Sequence, residues 1–171
     1  MEFSPPCLYI FSGLPGTGKT TLSRMLAAQI GAFHLRIDTI EQGLRDLCFF
    51  DVKGEGYRLA YRVAKDNLEI GLPVIADSVN PWKLTRREWE EVANSVNVPF
   101  VNIEITCSDM EEHRTRVESR STAIPGFVLP RWDEVVNRDY EAWNKERICL
   151  DTAGKTVEQA FAELRNLIDS A

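Results

Sequence analysis

The sequence predicts an α/β fold: a three-layer sandwich with a five-stranded parallel sheet and helices on both faces. Three observations carry this. Five short apolar runs alternate with segments of helical spacing, the pattern of strands covered on both faces in a parallel sheet. The stretch Gly13-Leu14-Pro15-Gly16-Thr17-Gly18-Lys19-Thr20 joins the first apolar run to the first helix and fits the phosphate-binding loop pattern G-x-x-x-x-G-K-[ST]. A length of 171 residues, with 44% hydrophobic and 27% charged residues, suits one domain spanning residues 1–171 with its own core.

The elements follow in order. Leu8–Ser12 reads as the first strand and Lys19–Ile30 as the first helix. Ala32–Ile37 is a short second strand, followed by helices at Thr39–Phe49 and Glu55–Glu69. Pro73–Ala76 is a third, buried strand. Thr85 with Glu88, and Ser108 with Glu111, have capping-box spacing and are expected to open the next two helices. Pro99–Ile105 alternates as a fourth strand between them. Ser121–Leu129 contains Pro125 and Gly126 and reads as an exposed loop, and Arg131–Lys145 is predicted helical. Arg147–Leu150 is the last strand, and Thr156 with Gln159 caps an amphipathic final helix.

The net charge of −6 gives no general electrostatic case for long nucleic acid or an anionic membrane. Local basic sites remain open, because fourteen of the 20 basic residues are arginines, which match phosphate as a planar fork. Cys7, Cys48, Cys107 and Cys149 are scattered, without a C-x-x-C pair. That argues against zinc and disulfides and suits a reducing cytoplasm. Met1–Pro6 is too short for a signal peptide, and no apolar run reaches membrane-spanning length.

Ligands on such sheets bind beyond the carboxyl ends of the strands, and the candidate residues lie there. The loop amides and the positive end of the first helix form an anion nest. Lys19 is placed to reach the β- and γ-phosphates, and the Thr20 hydroxyl to help hold Mg²⁺. Asp38, after the second strand, is a candidate base for a substrate hydroxyl, although with Glu41 it also has the spacing of a helix N-cap. Asp77 closes Val74-Ile75-Ala76-Asp77, an apolar strand ending in a carboxylate of the kind that acts on Mg²⁺. Asn80, which could equally satisfy its own turn, and Arg45, two helical turns past Asp38, are candidate substrate contacts. Arg116 and Arg120 share a helix face and lead into the loop. Such an arginine-bearing lid, about residues 121–131, suits phosphoryl transfer, where charge spreads over the equatorial oxygens and water must be excluded. His34 and His113 read as structural residues, and Cys107 as buried and inert.

Gly13–Thr21, Arg36-Ile37-Asp38, Ala76-Asp77-Ser78-Val79-Asn80 and the Arg116–Arg138 segment resemble the small P-loop kinases of the adenylate-kinase-like group. The likeness is greatest to the predicted kinases called AAA-type ATP-binding kinases, relatives of polynucleotide kinase, zeta-toxin, chloramphenicol phosphotransferase, adenylylsulfate kinase and gluconate kinase. The resemblance implies ATP and Mg²⁺ as cofactors, nucleotide binding by Gly13–Thr21, and a lid arginine, here Arg120, on the nucleotide. It also implies that the loop at Ala153 and Gly154 borders the adenine. Glu41 stands where polynucleotide kinases often carry arginine. The expectation is an ATP-dependent kinase acting on a hydroxyl of a small molecule, with Lys19, Asp38, Arg116 and Arg120 as its catalytic residues. The alternatives are a nucleotide-dependent ATPase or switch without an acceptor, or a 5′-hydroxyl polynucleotide kinase. A GTPase switch fits poorly, since Asn144-Lys145-Glu146-Arg147 lacks the aspartate of a guanine-reading motif.

Overall fold

Each apolar run becomes a strand because successive side chains find a helix on opposite faces. The computed structural model describes residues 5–171, so most of the Met1–Pro6 stretch lies outside the described residues. The strands are β1 (Leu8–Ser12), β2 (Phe33–Arg36), β3 (Val74–Asp77), β4 (Phe100–Thr106) and β5 (Ile148–Asp151). They form one parallel sheet in the order β2-β3-β1-β4-β5. The helices are α1 (Lys19–Ile30), α2 (Ile37–Cys48), α3 (Glu55–Glu69), α4 (Lys83–Ser95), α5 (Met110–Ser119), α6 (Trp132–Val136) and α7 (Val157–Asp169). On one face Leu8, Ile10, Val74 and Ala76 pack with Ala60 and Ala64 of α3 and Trp89 of α4. On the other, Phe11, Ile75, Ile103 and Ile105 pack with Leu22 and Leu26 of α1 and Leu164 of α7. Among the described residues no helix is long and apolar enough to cross a membrane.

The sheet order positions the site. The chain leaves β1 through α1, passes β3 to reach β2, and returns beside β1. Phe11 and Arg36 both register with Asp77, so the ends of β1, β2 and β3 meet on one rim. This is the crevice where open α/β sheets bind ligands.

Three local expectations yield to tertiary contacts. Thr85 does not open α4. The N-cap is Trp82, and the Lys83 N–H donates to the Glu141 carboxylate, while Thr85 Oγ1 donates back to Trp82 O at 3.0 Å. Ser108 does not open α5 either. Asp109 is the cap, accepting from Glu112 N–H at 2.9 Å, and Ser108 instead bonds the Asp151 carboxylate at the end of β5. Those hydrogen bonds hold the Asp151 carboxyl below the usual range.

The predicted Arg131–Lys145 helix stops at Val136. Beyond it the chain runs as an irregular strap over the polar face of β4, where Asn102 and Glu104 are buried. Tyr140 OH donates to Glu104 at 3.0 Å and Arg147 Nε at 2.6 Å. Lys145 pairs with Glu90, which accepts from Asn102. Burying those carboxylates without partners would cost several kcal/mol each, more than continuing the helix returns.

The loop after β1 is the tightest packed point on the rim. Gly13 has φ +140°, and a Cβ there would stand 2.2 Å from the backbone oxygen of Ile105. Gly13→Ala is expected to lose at least about 2 kcal/mol of stability, measured by urea denaturation.

Candidate active site

The phosphate loop is held by protein donors on the carbonyls of Leu14, Pro15 and Thr17. His113 Nε2–H of α5 donates to Pro15 O at 2.9 Å. Thr17 Oγ1 donates to Leu14 O at 3.0 Å, and Gly13 N–H donates to Val79 O at 3.2 Å. The Thr152 hydroxyl, just after β5, lies 2.9 Å from Thr17 O and 3.0 Å from Thr106 O. Gly16 has φ +86°, and a Cβ there would collide with Val117 Cγ2 at 2.5 Å, so α5 packs directly on the loop backbone. The first amides of α1, at Lys19, Thr20 and Thr21, have no intrahelical acceptor by position and open toward the cleft.

That cleft has a volume of about 1030 Å³. Pro15, Gly16, Gly18, Lys19, Thr20 and Thr21 line one wall, Arg36, Asp38, Glu41 and Arg45 another, and the lid the third. Gly13, Leu14 and Thr17 form the underside of the loop and do not line it. Lys19 is nearly buried, its Nζ 3.7 Å from Asp77 Oδ1. The other carboxylate oxygen, Oδ2, is buried with no hydrogen-bond partner among the described residues.

Asp38 sits in the first turn of α2 rather than at its cap, which is Arg36. Its carboxylate is 3.6 Å from the Arg36 guanidinium. Arg120 follows α5 directly and turns inward, its Nε and one terminal nitrogen buried without a hydrogen-bond partner among the described residues. Burial pulls this guanidinium below its ordinary pKa; Asp38 opposes that shift, while Arg36 and Arg138 reinforce it. Arg45 lines the cleft but pairs with Glu41 at 3.3 Å, and burial raises the Glu41 carboxyl. The lid reaches across: a Cβ on Gly126 would lie 3.2 Å from Gln42 of α2. Seven cationic side chains line the cleft against three carboxylates.

Several expected site residues stand elsewhere. Asn80 does not line the cleft. It is fully buried at φ +51°, its amide donating to Ser12 Oγ at 3.0 Å and its N–H to Tyr57 OH at 3.1 Å. Its work is to shape the turn under the phosphate loop. Arg86 completes that turn by donating to Asn80 O and Pro81 O, stacked on the rings of Tyr140 and Trp143. Arg116 touches the cleft wall but is not free: it donates to Thr152 Oγ1 at 2.8 Å, to Thr152 O at 3.0 Å and to Glu112. Ala153 and Gly154 do not line the cleft. Their N–H groups bond Asp151 and Glu112. Cys107 is buried, and burial raises its thiol.

Sequence reasoning missed Thr152, whose spacing from the loop carries no signal, and it read His113 and His34 as structural without finding their partners. His34 Nε2 lies 3.0 Å from Ser23 Oγ and 3.7 Å from Asp77 Oδ2, and burial lowers its pKa despite Asp77.

The donors fit a magnesium nucleotide. Among the described residues a buried carboxylate oxygen lacks a partner at Asp77, a lysine stands beside it, and the first amides of α1 open into the same cleft. Thr20 and Asp77 would hold the metal. Among the described residues no group of three His, Cys, Asp or Glu side chains gathers as a metal cage, and Mg²⁺ ordinarily uses only one or two protein ligands beside phosphates and water.

Sheet order, loop and lid define a P-loop kinase of the adenylate-kinase-like group. Residues 8–136 match the family model described as an AAA domain, and the chain belongs to that family. It is an ATP-dependent kinase, with ATP and Mg²⁺ as its cofactors. It is 30% identical over 172 residues to an adenylyl-sulfate kinase of Aeromonas hydrophila, covering 93% of this chain and 83% of that one. It is 26% identical over 183 residues to the bifunctional enzyme NodQ of a Rhizobium species. That match covers 99% of this chain, which spans only 27% of the bifunctional enzyme. The Mycobacterium tuberculosis APS kinase, solved with AMPPNP and APS, shares the fold. Its TM-score is 0.70 at 16% identity, over 96% of this chain and 98% of that one.

Thr152→Val strips hydrogen bonds from Thr17 O and from Arg116 while keeping the side-chain shape. It is expected to cost about 1–3 kcal/mol in denaturant unfolding and to weaken ATP binding in titration calorimetry.

Proposed function

We propose that this chain transfers the γ-phosphate of ATP to a hydroxyl of a small anionic acceptor. The supporting observation is that an aspartate, Asp38, and a buried guanidinium without a partner, Arg120, share one cleft with the phosphate loop. Lys19 and the amides of Gly16 and of Gly18–Thr21 hold the donor phosphates, and Thr20 and Asp77 the metal. The bound magnesium nucleotide supplies a phosphoryl group whose charge is partly neutralised. Asp38 takes the proton from the acceptor hydroxyl. Arg120 presents two N–H donors to charge on the transferring group, and the lid at 121–131 excludes water. Arg116 acts at one remove, by holding Thr152 against the loop.

The excess of cations in the cleft of a chain with net charge −6 favours an acceptor that is itself an anion. Arg36, Arg45 and Arg138 lie on the acceptor side, around Asp38 and Glu41. Adenylyl sulfate, the substrate in the names of the curated relatives, is therefore the first acceptor to assay. The scattered cysteines suit a reducing cytoplasm as the place of reaction.

A coupled ADP assay across adenylyl sulfate, sugar acids, neutral sugars and 5′-hydroxyl oligonucleotides is expected to give turnover with an anionic small molecule. Turnover confined to neutral sugars or oligonucleotides would sink the anionic-acceptor proposal. Asp38→Asn should lower kcat by about 10²–10⁴-fold while ATP affinity by calorimetry stays near wild type. Arg120→Met should lower kcat by about 10²–10³-fold with its folding transition unchanged.

A further inference from the structure

Thr20 and Asp77 belong to different elements, the first turn of α1 and the end of β3. Something must keep them in step, and the residues behind them do. Ser23 is fully buried one turn along α1, and its hydroxyl donates to Thr20 O at 3.1 Å. That commits its single proton, so Ser23 Oγ can only accept from His34 Nε2, 3.0 Å away. That pairing assigns the His34 proton to Nε2. The same nitrogen is 3.7 Å from Asp77 Oδ2, the oxygen without a hydrogen-bond partner. The register explains the meeting: His34 pairs with Ile75, and Ile75 packs on the α1 side of the sheet. Two residues along each strand the side chains return to the same face, which brings His34 diagonally against Asp77.

We propose that His34, tied to α1 through Ser23, is a positioning residue for the magnesium site. With its Nε2–H held by Ser23, the polar edge of the ring stands 3.7 Å from Asp77 Oδ2 and leaves Oδ1 toward Lys19. The Thr20–Ser23–His34–Asp77 chain thereby sets the separation of the two metal-holding side chains. Partners that orient a metal ligand commonly matter about 10–100-fold to metal affinity. The proposal rests on the assignment of Thr20 and Asp77 to Mg²⁺, and its test separates the two.

The measurement is the magnesium coupling of nucleotide binding: the ratio of the ATP dissociation constant in EDTA to that in saturating Mg²⁺, by calorimetry. His34→Leu is expected to lower this ratio about tenfold with the EDTA value unchanged, and Ser23→Ala to lower it in the same direction. His34→Gln, which keeps an N–H donor at the reach of Nε2, should restore most of it. Thermal unfolding of each variant identifies any that fail to fold, and the serine variant then carries the test. Equal weakening with and without Mg²⁺, or an unchanged ratio in His34→Leu, overturns the proposal. Asp77→Asn is the control: if it too leaves the ratio unchanged, the assignment of Asp77 to the metal fails first.

Discussion

The site depends on one constraint: the carbonyls of Leu14, Pro15 and Thr17 must be held inward by protein donors while the first amides of α1 stay open to the cleft. Left alone, such a loop would relax, because buried carbonyls need donors and positive-φ conformations carry strain. Here His113 claims Pro15 O, the Thr152 hydroxyl reaches Thr17 O, and Thr17 itself claims Leu14 O. Val79 O receives the Gly13 N–H. The donors come from α5, from the turn after β5 and from the loop itself. The anion nest is thus a product of the whole rim, and a change far from the phosphates, at Thr152 or Asn80, acts on it.

The second organising fact is charge. The chain as a whole is acidic, yet the cleft beside the phosphate loop collects arginines. A cation held in a partly buried cleft without a partner is costly, and Arg120 is in that position. The surroundings keep it there through the packing of α5 and the lid, and opposing charge comes only from Asp38 at a distance. Arg116, one helical turn earlier, is fully engaged with Thr152 and Glu112. Two arginines on one helix face thus divide into a structural clamp and a free donor group, a division set by a few ångströms of tertiary placement.

Where sequence reasoning failed, it did so in one way. Thr85/Glu88 and Ser108/Glu111 satisfy the local spacing of a capping box, yet Glu141 serves the first of those helix ends and Asp151 draws Ser108 away from the second. Residues 137–145 have helical composition, yet Asn102, Glu104 and Glu90 need partners. In each case a donor or acceptor distant in the chain outweighs a local preference worth about 1 kcal/mol. Asn80 was misplaced for the same reason: a polar side chain after a strand looks the same in sequence whether it meets a ligand or, as here, Ser12.

The sequence by itself determined the class of fold, the order of strands and helices, the phosphate loop and the rim on which Asp38, Asp77 and Arg120 lie. Periodicity, glycine spacing and strand ends are local signals, and these features follow from local rules. Only the tertiary structure decided which of those residues face the cleft and what supports them. His34 reaches Asp77 because β2 and β3 are adjacent. His113 and Thr152 reach the loop because α5 and β5 close over it. Such meetings join residues from 43 to 135 positions apart, and hydrogen bonds over that separation exist only once the sheet has set its register.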